Sequence, residues 1–172
     1  MFRRAEVPDA AALAAFAARV FVETYGPDNR PEDLAEHLAT SYGVPQQTRE
    51  LADPDYVTLL MEDAGNVIAY AQIRRHAPPP CVEEPGPVEL YRFYVDRPHQ
   101  GRGVAQRLMT AACEVAREMG GRAVWLSVWE RNPRAIAFYL KCGFRDVGAT
   151  HFYVGTDRQN DRVLMVSLEA AI

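Results

Sequence analysis

The passage Val88-Glu89-Leu90-Tyr91-Arg92-Phe93-Tyr94-Val95, followed by Asp96-Arg97-Pro98-His99-Gln100-Gly101-Arg102-Gly103-Val104-Ala105, decides the fold. The first eight residues are mostly apolar or aromatic, the composition of a strand. From Val104 to Met119 the apolar residues recur at helical spacing, and Gly120-Gly121 ends the run. Between strand and helix lies a glycine-flanked turn, and its physics is that of an anion site. Glycine lets the backbone approach closely, and the unpaired amides of a helix N-terminus point at whatever binds there. Arg97 and Arg102 add mobile positive charge. Gly-x-Gly at such a turn also occurs as a plain tight turn, so the spacing alone does not name a ligand.

Downstream, Ala123–Val128 is an apolar run that predicts a buried strand. Asn132-Pro133 opens a helix reaching about Cys142, with Gly143 placed at its C-terminal cap. Two further strands are expected near Phe144–Val154 and Arg162–Leu168. Upstream, residues 2–5 predict a short strand, and Asp9 is placed to cap a helix. Leu13, Phe16, Ala17, Val20, Phe21 and Thr24 share that helix's buried face, and Gly26-Pro27 ends it. A second helix from Pro31 is expected to bury Leu34, Leu38 and Tyr42, with a short helical piece around Gln46–Leu51. Tyr56–Glu62 and Val67–Arg74 read as a hairpin with a four-residue loop, Asp63 to Asn66. The proline-rich stretch Ala77–Pro87 reads as a surface loop. The order β-α-α-β-β-β-α-β-α-β-β predicts an α+β fold with a mixed sheet.

The chain has 172 residues, 48% of them hydrophobic and 24% charged, which fits one globular domain over residues 1–172. A net charge of −4 excludes a strongly basic nucleic-acid surface and mildly favours cationic small molecules. No apolar run approaches the ~20 residues of a membrane span, and the first ten residues lack the apolar core of a signal peptide. Cys81, Cys113 and Cys142 are scattered and odd in number, which suggests neither a disulfide framework nor a zinc site. The expectation is a cytoplasmic, metal-free protein without nucleic-acid or membrane partners, either monomer or homodimer.

The second constellation is Asn132-Pro133-Arg134-Ala135-Ile136-Ala137-Phe138-Tyr139-Leu140-Lys141-Cys142-Gly143-Phe144. Tyr139 lies two helical turns beyond Asn132 on the same face. Gln100-x-x-Gly103-x-Ala105 resembles the acetyl-CoA signature of the GNAT N-acetyltransferases, and Asn132-x-x-Ala135-x-x-x-Tyr139-x-x-x-Gly143-Phe144 resembles that family's second motif. The resemblance extends from Phe2 to the C-terminus and is most specific over Glu89–Phe144. It departs at Ala105, where many members carry glycine.

The resemblance implies a central, mostly antiparallel twisted sheet with splayed central strands and helices on both faces. It implies that main-chain groups of Phe93 and Val95, flanking Tyr94, bind the acetyl and pantetheine amides. The amides of Gln100, Gly101, Arg102, Gly103, Val104 and Ala105 would cradle the pyrophosphate, and Asn132 would contact the pantetheine. Tyr139 would stand near the thioester sulfur as general acid, since a phenol with pKa ~10 is protonated at neutral pH. Glu89 is the candidate base for the incoming amine and Glu130 the second choice. His99 and His151 are bases by type, without a spacing that argues for catalysis. Trp125 and Trp129 read as packing residues, and no activating neighbour marks any cysteine.

Phe21-Val22-Glu23-Thr24-Tyr25, Trp125 to Asn132 and His151 to Asp161 resemble, more loosely, the bacterial spermine/spermidine acetyltransferase type. A polyamine site needs carboxylates and aromatic faces, for which Glu23, Tyr25, Glu89, Glu130 and Asp157 are candidates. The expected activity is acetyl-CoA-dependent acetylation of a primary amine of a small molecule, by direct attack in a ternary complex. The alternatives are acetylation of a protein or peptide amine, or an idle acyl-CoA-binding regulatory domain.

Overall fold

The computed structural model describes residues 2–168. One seven-stranded sheet runs through it in the order β1-β2-β3-β4-β5-β7-β6. The strands are β1 (Phe2–Arg4), β2 (Tyr56–Asp63), β3 (Asn66–Arg74), β4 (Pro87–Val95), β5 (Ala123–Trp129), β6 (Arg145–Val154) and β7 (Asp157–Ser167). The helices are α1 (Ala10–Tyr25), α2 (Pro31–Ser41), α3 (Val44–Ala52), α4 (Val104–Glu118) and α5 (Pro133–Lys141). Every strand pair is antiparallel except β4 with β5. The expected α+β architecture is the one observed.

Side-chain alternation along the strands separates two cores. Leu59, Ala69, Ala71 and Ile73 pack with Leu108, Ala112 and Phe144 on the face covered by α4 and α5. Leu60 and Tyr70 point the other way, against Leu13, Phe16, Val20 and Phe21 of α1. Period-two alternation thus gives each half of the sheet two apolar faces, and both need helices over them.

Several local details differ from expectation. Asp9 precedes α1 but caps nothing with its side chain; its carboxylate accepts from Arg3 and from the Glu6 amide, each at 2.8 Å. The β2–β3 ladder closes fully at Asp63 and Asn66, so the connection has two residues rather than four. Ala64 and Gly65 both take positive φ there, the geometry that matches strand twist. The short helical piece is a full helix, α3, and β7 begins five residues earlier than expected. Within α2 the buried residues are Asp33 and His37, while Leu34 and Leu38 are half-buried. Asp33 is inside because it accepts from the Thr156 amide and hydroxyl, each at 2.8 Å, and from Arg30 at 2.6 Å. That clasp ties α2 to the β6–β7 turn. The proline-rich stretch has no regular structure, yet Val82 packs on Ala123, Trp125, Val163 and Met165. It therefore lids the sheet face that α1–α3 do not reach.

Two irregularities in β4 shape the centre of the molecule. Ile73 pairs with Leu90 while Gln72 pairs with Arg92, so Tyr91 is an extra, bulged residue. The bulge resets the alternation: Glu89, Arg92 and Tyr94 face the α1–α3 side, whereas Phe93 and Val95 join the α4–α5 core. In addition, β4 pairs with β5 only through Pro87–Glu89 and Ala123–Trp125. Past those three residues the two parallel strands separate, and a wedge opens between Tyr91–Val95 and Leu126–Trp129.

Candidate active site

The wedge leads into a cavity of about 880 Å³ that crosses the sheet. On the α4–α5 side it is lined by Phe93, Val95, Gln100, Gly101, Ala105 and Tyr139. The Asp96 amide donates to Ile68 in β3 at 2.8 Å. Alternation therefore turns the main-chain groups of Phe93 and Val95 toward the wedge, where no strand takes them up. The Val95 carbonyl accepts from Gln100 Nε2 at 2.8 Å, which ties the loop after β4 to the strand's end.

Gly101 and Gly103 have φ of +73° and +76°, and a Cβ at either would meet nothing within 4 Å. Their backbone is bare and left-handed, and Gly103 is the N-cap of α4 with no side chain capping the first turn. The amides at the start of α4 are thus open to an anion. Val104 is buried in the α4–α5 core and anchors the turn, and Arg102 is exposed. Arg97 and Arg134 line the cavity, and neither has an ion-pair partner among the described residues. Arg134 was not among the expected site residues; its place in the first turn of α5, beside Asn132, is what brings it here.

Asn132 caps α5, its Oδ1 accepting from the Ala135 amide at 3.1 Å, and it also faces the cavity. Tyr139, two turns on, is buried among Phe93, Phe138 and Phe144. Burial raises its phenol pKa, and the nearby Tyr25 and Cys142 add to the effect. It is a protonated donor at neutral pH.

On the α1–α3 side the walls are aromatic. Tyr25, Tyr42, Trp129 and Phe152 line the cavity there, with Tyr25 and Trp129 edge-to-face at 6.0 Å. Tyr25's hydroxyl is within hydrogen-bonding reach of Asn132 and Tyr94, and burial raises its pKa. Glu89 is 5% exposed and lines the cavity, and its carboxylate accepts from Arg74 Nε at 2.5 Å. Behind it Arg92 donates to Glu50 at 2.6 Å and to Gln72 at 2.8 Å, with its guanidinium over Tyr42 and Tyr91. His37 lines the same space, its pKa lowered to about 4 by burial and by Arg92, so it is neutral. Glu130 is exposed after β5, and Asp157 is exposed at the start of β7. His99 sits on the turn after β4 near Asp63, and His151 is exposed beside Asn160 and Arg158.

One residue here escaped the sequence reading. Asp161 is 5% exposed, lines the cavity, and its Oδ1 has no hydrogen-bond partner. It pairs with Trp129 across the β5–β7 ladder. Burial raises its pKa from 3.8 to about 6, partly offset by the Ser127 hydroxyl and reinforced by Glu130. The available signal was phase: Gln159, Asp161, Val163 and Met165 alternate along β7, so the carboxylate shares its face with two core residues.

Residues 18–144 match the model of the acetyltransferase (GNAT) family. The chain belongs to that family. An N-acetyltransferase of Mycobacterium tuberculosis is 32% identical over 160 residues, 93% of this chain and 98% of the relative. Another, from Lactobacillus delbrueckii, is 30% identical over 154 residues, 90% of this chain and 89% of its own. Among solved structures, the PaiA N-acetyltransferase of Thermoplasma acidophilum, in complex with coenzyme A, superposes with a TM-score of 0.77 at 17% identity. That match covers 97% of this chain and 98% of the other. This GNAT protein is accordingly an acyltransferase, and its mostly antiparallel sheet with splayed central strands is the one that the resemblance implied. Among the described residues no helix is long and apolar enough to cross a membrane, and no group of three or more His, Cys, Asp or Glu is arranged to hold a metal ion.

Proposed function

We propose that this GNAT enzyme transfers the acetyl group of acetyl-CoA to the primary amine of a small molecule, in the cytoplasm, by direct attack in a ternary complex. The observation that carries the reading is a single cavity reached from both sides of the sheet. An anion-binding turn and a buried phenol stand on one side, and an aromatic, acid-bearing wall on the other. A polyamine is the finer acceptor class that the first-helix resemblance suggests.

The residues fit the cosubstrate. The left-handed backbone at Gly101 and Gly103 leaves open the space a Cβ would fill, as a pyrophosphate cradle requires. The turn from Gln100 to Ala105 would hold the phosphates through its amides, with Arg97, Arg102 and Arg134 matching their charge. The wedge-facing main-chain groups of Phe93 and Val95, with Tyr94 between them, would extend the strand pairing to the pantetheine amides, and Asn132 would contact that arm. The thioester, when bound, supplies an acyl carbon and a thiolate leaving group. Tyr139, kept protonated at neutral pH by its raised pKa, would give its phenolic proton to the departing sulfur. Glu89 would lend a carboxylate to the amine side, working against its ion pair with Arg74.

The test is release of free thiol from acetyl-CoA over a panel of primary amines, for the wild type and for Tyr139→Phe. Phenylalanine keeps the ring packing and removes the donor. The expected result is amine-dependent thiol release in the wild type and a loss of ~10²–10⁴-fold in the variant, with coenzyme A binding intact. A protein that binds coenzyme A and releases no thiol with any amine would return the chain to a binding role.

A further inference from the structure

The cavity's α1–α3 end contains three carboxylates, and their partners differ. Glu23 is half-exposed and donated to by Arg19 at 3.0 Å. Glu89 is buried and held by Arg74 at 2.5 Å. Both negative charges already face a guanidinium. Asp161 faces none among the described residues: its Oδ1 is fully enclosed and unpartnered. An enclosed carboxylate oxygen without a donor is costly unless a ligand supplies one. Two aromatic residues stand near it, Trp129 beside it on β5 and Tyr25 in edge contact with that indole, and the charge of Glu130 adds to the cost of its ionisation.

The geometry points to Asp161 as the group that receives the acceptor's ammonium and its proton, in a site shaped for a compact amine with one positive charge. This inference rests on the proposed N-acetyltransferase reading and, against the polyamine that the first-helix resemblance suggests, narrows its substrate to monoamines with an apolar or aromatic body. A polyamine would bring a second and third ammonium to a cavity wall whose other lining carboxylates, Glu23 and Glu89, are matched by arginine. An aromatic wall suits the uncharged body of a monoamine and the face of its single cation.

Tyr25 lies between the two groups, its hydroxyl near enough to Asp161 and to Tyr139 for their charges to be felt. The balance is as follows. Asp161, ionised, takes one proton from the ammonium, which frees the nitrogen lone pair. A C–N bond forms at the acyl carbon, the C–S bond breaks, and the sulfur leaves with the electron pair and takes the Tyr139 proton. The phenolate recovers a proton from the acylated nitrogen, and Asp161 returns its own to water. The raised pKa of Asp161, about 6, narrows the gap to an alkyl ammonium near ~10 without closing it. Besides Glu23, Glu89 and its partner Arg74, the ionisable groups sharing this end include Tyr25 of α1, His37 of α2, Tyr42 after it, Arg92 of β4, Glu130 after β5 and His151 of β6. His37 is neutral across the working range, and Arg92 is committed to Glu50.

The experiment compares phenethylamine with spermidine as acceptors, in the wild type, Asp161→Asn and Glu89→Gln, across pH 5–9. The wild type is expected to prefer the monoamine. Asp161→Asn is expected to lower its kcat/KM by ~10²-fold or more and to remove the acidic limb of the pH profile, with coenzyme A affinity little changed. A second measurement uses the wild type alone: calorimetric binding of phenethylamine at pH 5.5, in buffers of different ionisation enthalpy, should report proton release. A preference for spermidine, an acidic limb that survives in Asp161→Asn or is lost instead in Glu89→Gln, or binding without proton release would each overturn the inference. If the wild type acetylates neither amine nor any other on the thiol-release panel, the acetyltransferase reading falls as well. Amine turnover with the wrong preference or the wrong pH dependence leaves that reading standing.

Discussion

Replacing Asp161 by asparagine should make this protein more stable above neutral pH while it damages catalysis. The carboxyl is 5% exposed, and its pKa moves from 3.8 to about 6 because burial penalises the charged form. A folded-state pKa above the unfolded one means that the native state binds the proton more tightly. Native stability therefore falls as pH rises from about 4 to about 6, and the whole penalty is present above that window. A displacement of this size corresponds to about 3 kcal/mol at pH 8 and only roughly 0.5 kcal/mol at pH 4. Asparagine is isosteric, carries no charge, and keeps an oxygen that accepts from Ser127. Its gain at pH 8 is thus at most about 3 kcal/mol, which for a chain of this length is roughly 6–12 °C in Tm. The assay is urea or thermal unfolding of wild type and Asp161→Asn at pH 4, 6 and 8, read as the difference between them. The stabilisation should grow with pH and level off above about 7. Parallel curves at all three pH values would mean that Asp161 ionises at no cost, and the argument from its enclosure would be refuted. A gain in stability alongside lost turnover is what a functional group held in an unfavourable environment predicts.

Gly103→Val puts a β-branched residue at φ +76°, where nothing else crowds it, so the strain costs about 1–2 kcal/mol and the fold survives. Calorimetric titration with coenzyme A should show a steep loss of affinity, and wild-type binding by the folded variant would remove the turn from the phosphate site. Glu50→Gln leaves Arg92 as an enclosed cation without its anion and should cost about 3–5 kcal/mol in a denaturant midpoint, whereas replacing both residues by apolar ones of similar size should restore most of it. Gly155→Ala would bring a Cβ within 2.6 Å of the Asp33 Cα at φ +57°. It should lower Tm and raise KM for the amine more than for acetyl-CoA, because the clasp holds α2 over the acceptor end.

The local chemistry of this fold was open to reading along the chain. Periodicity separates Val88–Val95 from Val104–Met119, glycine marks the turn between them, and Asn132-Pro133 marks the start of α5. Those signals are carried by neighbours in sequence, and so the strand, the turn and the helix are all legible from the chain alone. Asp9 and the β2–β3 loop show the limit of such reading. A long-range partner, Arg3, takes the carboxylate that local logic assigns to a cap, and strand twist selects a shorter turn.

The acceptor side was decided only by tertiary structure. Glu89 is on the predicted strand, but its charge is set by Arg74, fifteen positions away on β3, brought alongside by the β4 bulge. Asp161 becomes enclosed only because β7 inserts between β5 and β6, which places it beside Trp129. His37 loses its proton to burial against Phe21 and Phe152 and to the field of Arg92. Sequence reports which groups can titrate, whereas burial and opposing charge decide which of them do, and both depend on residues far apart in the chain.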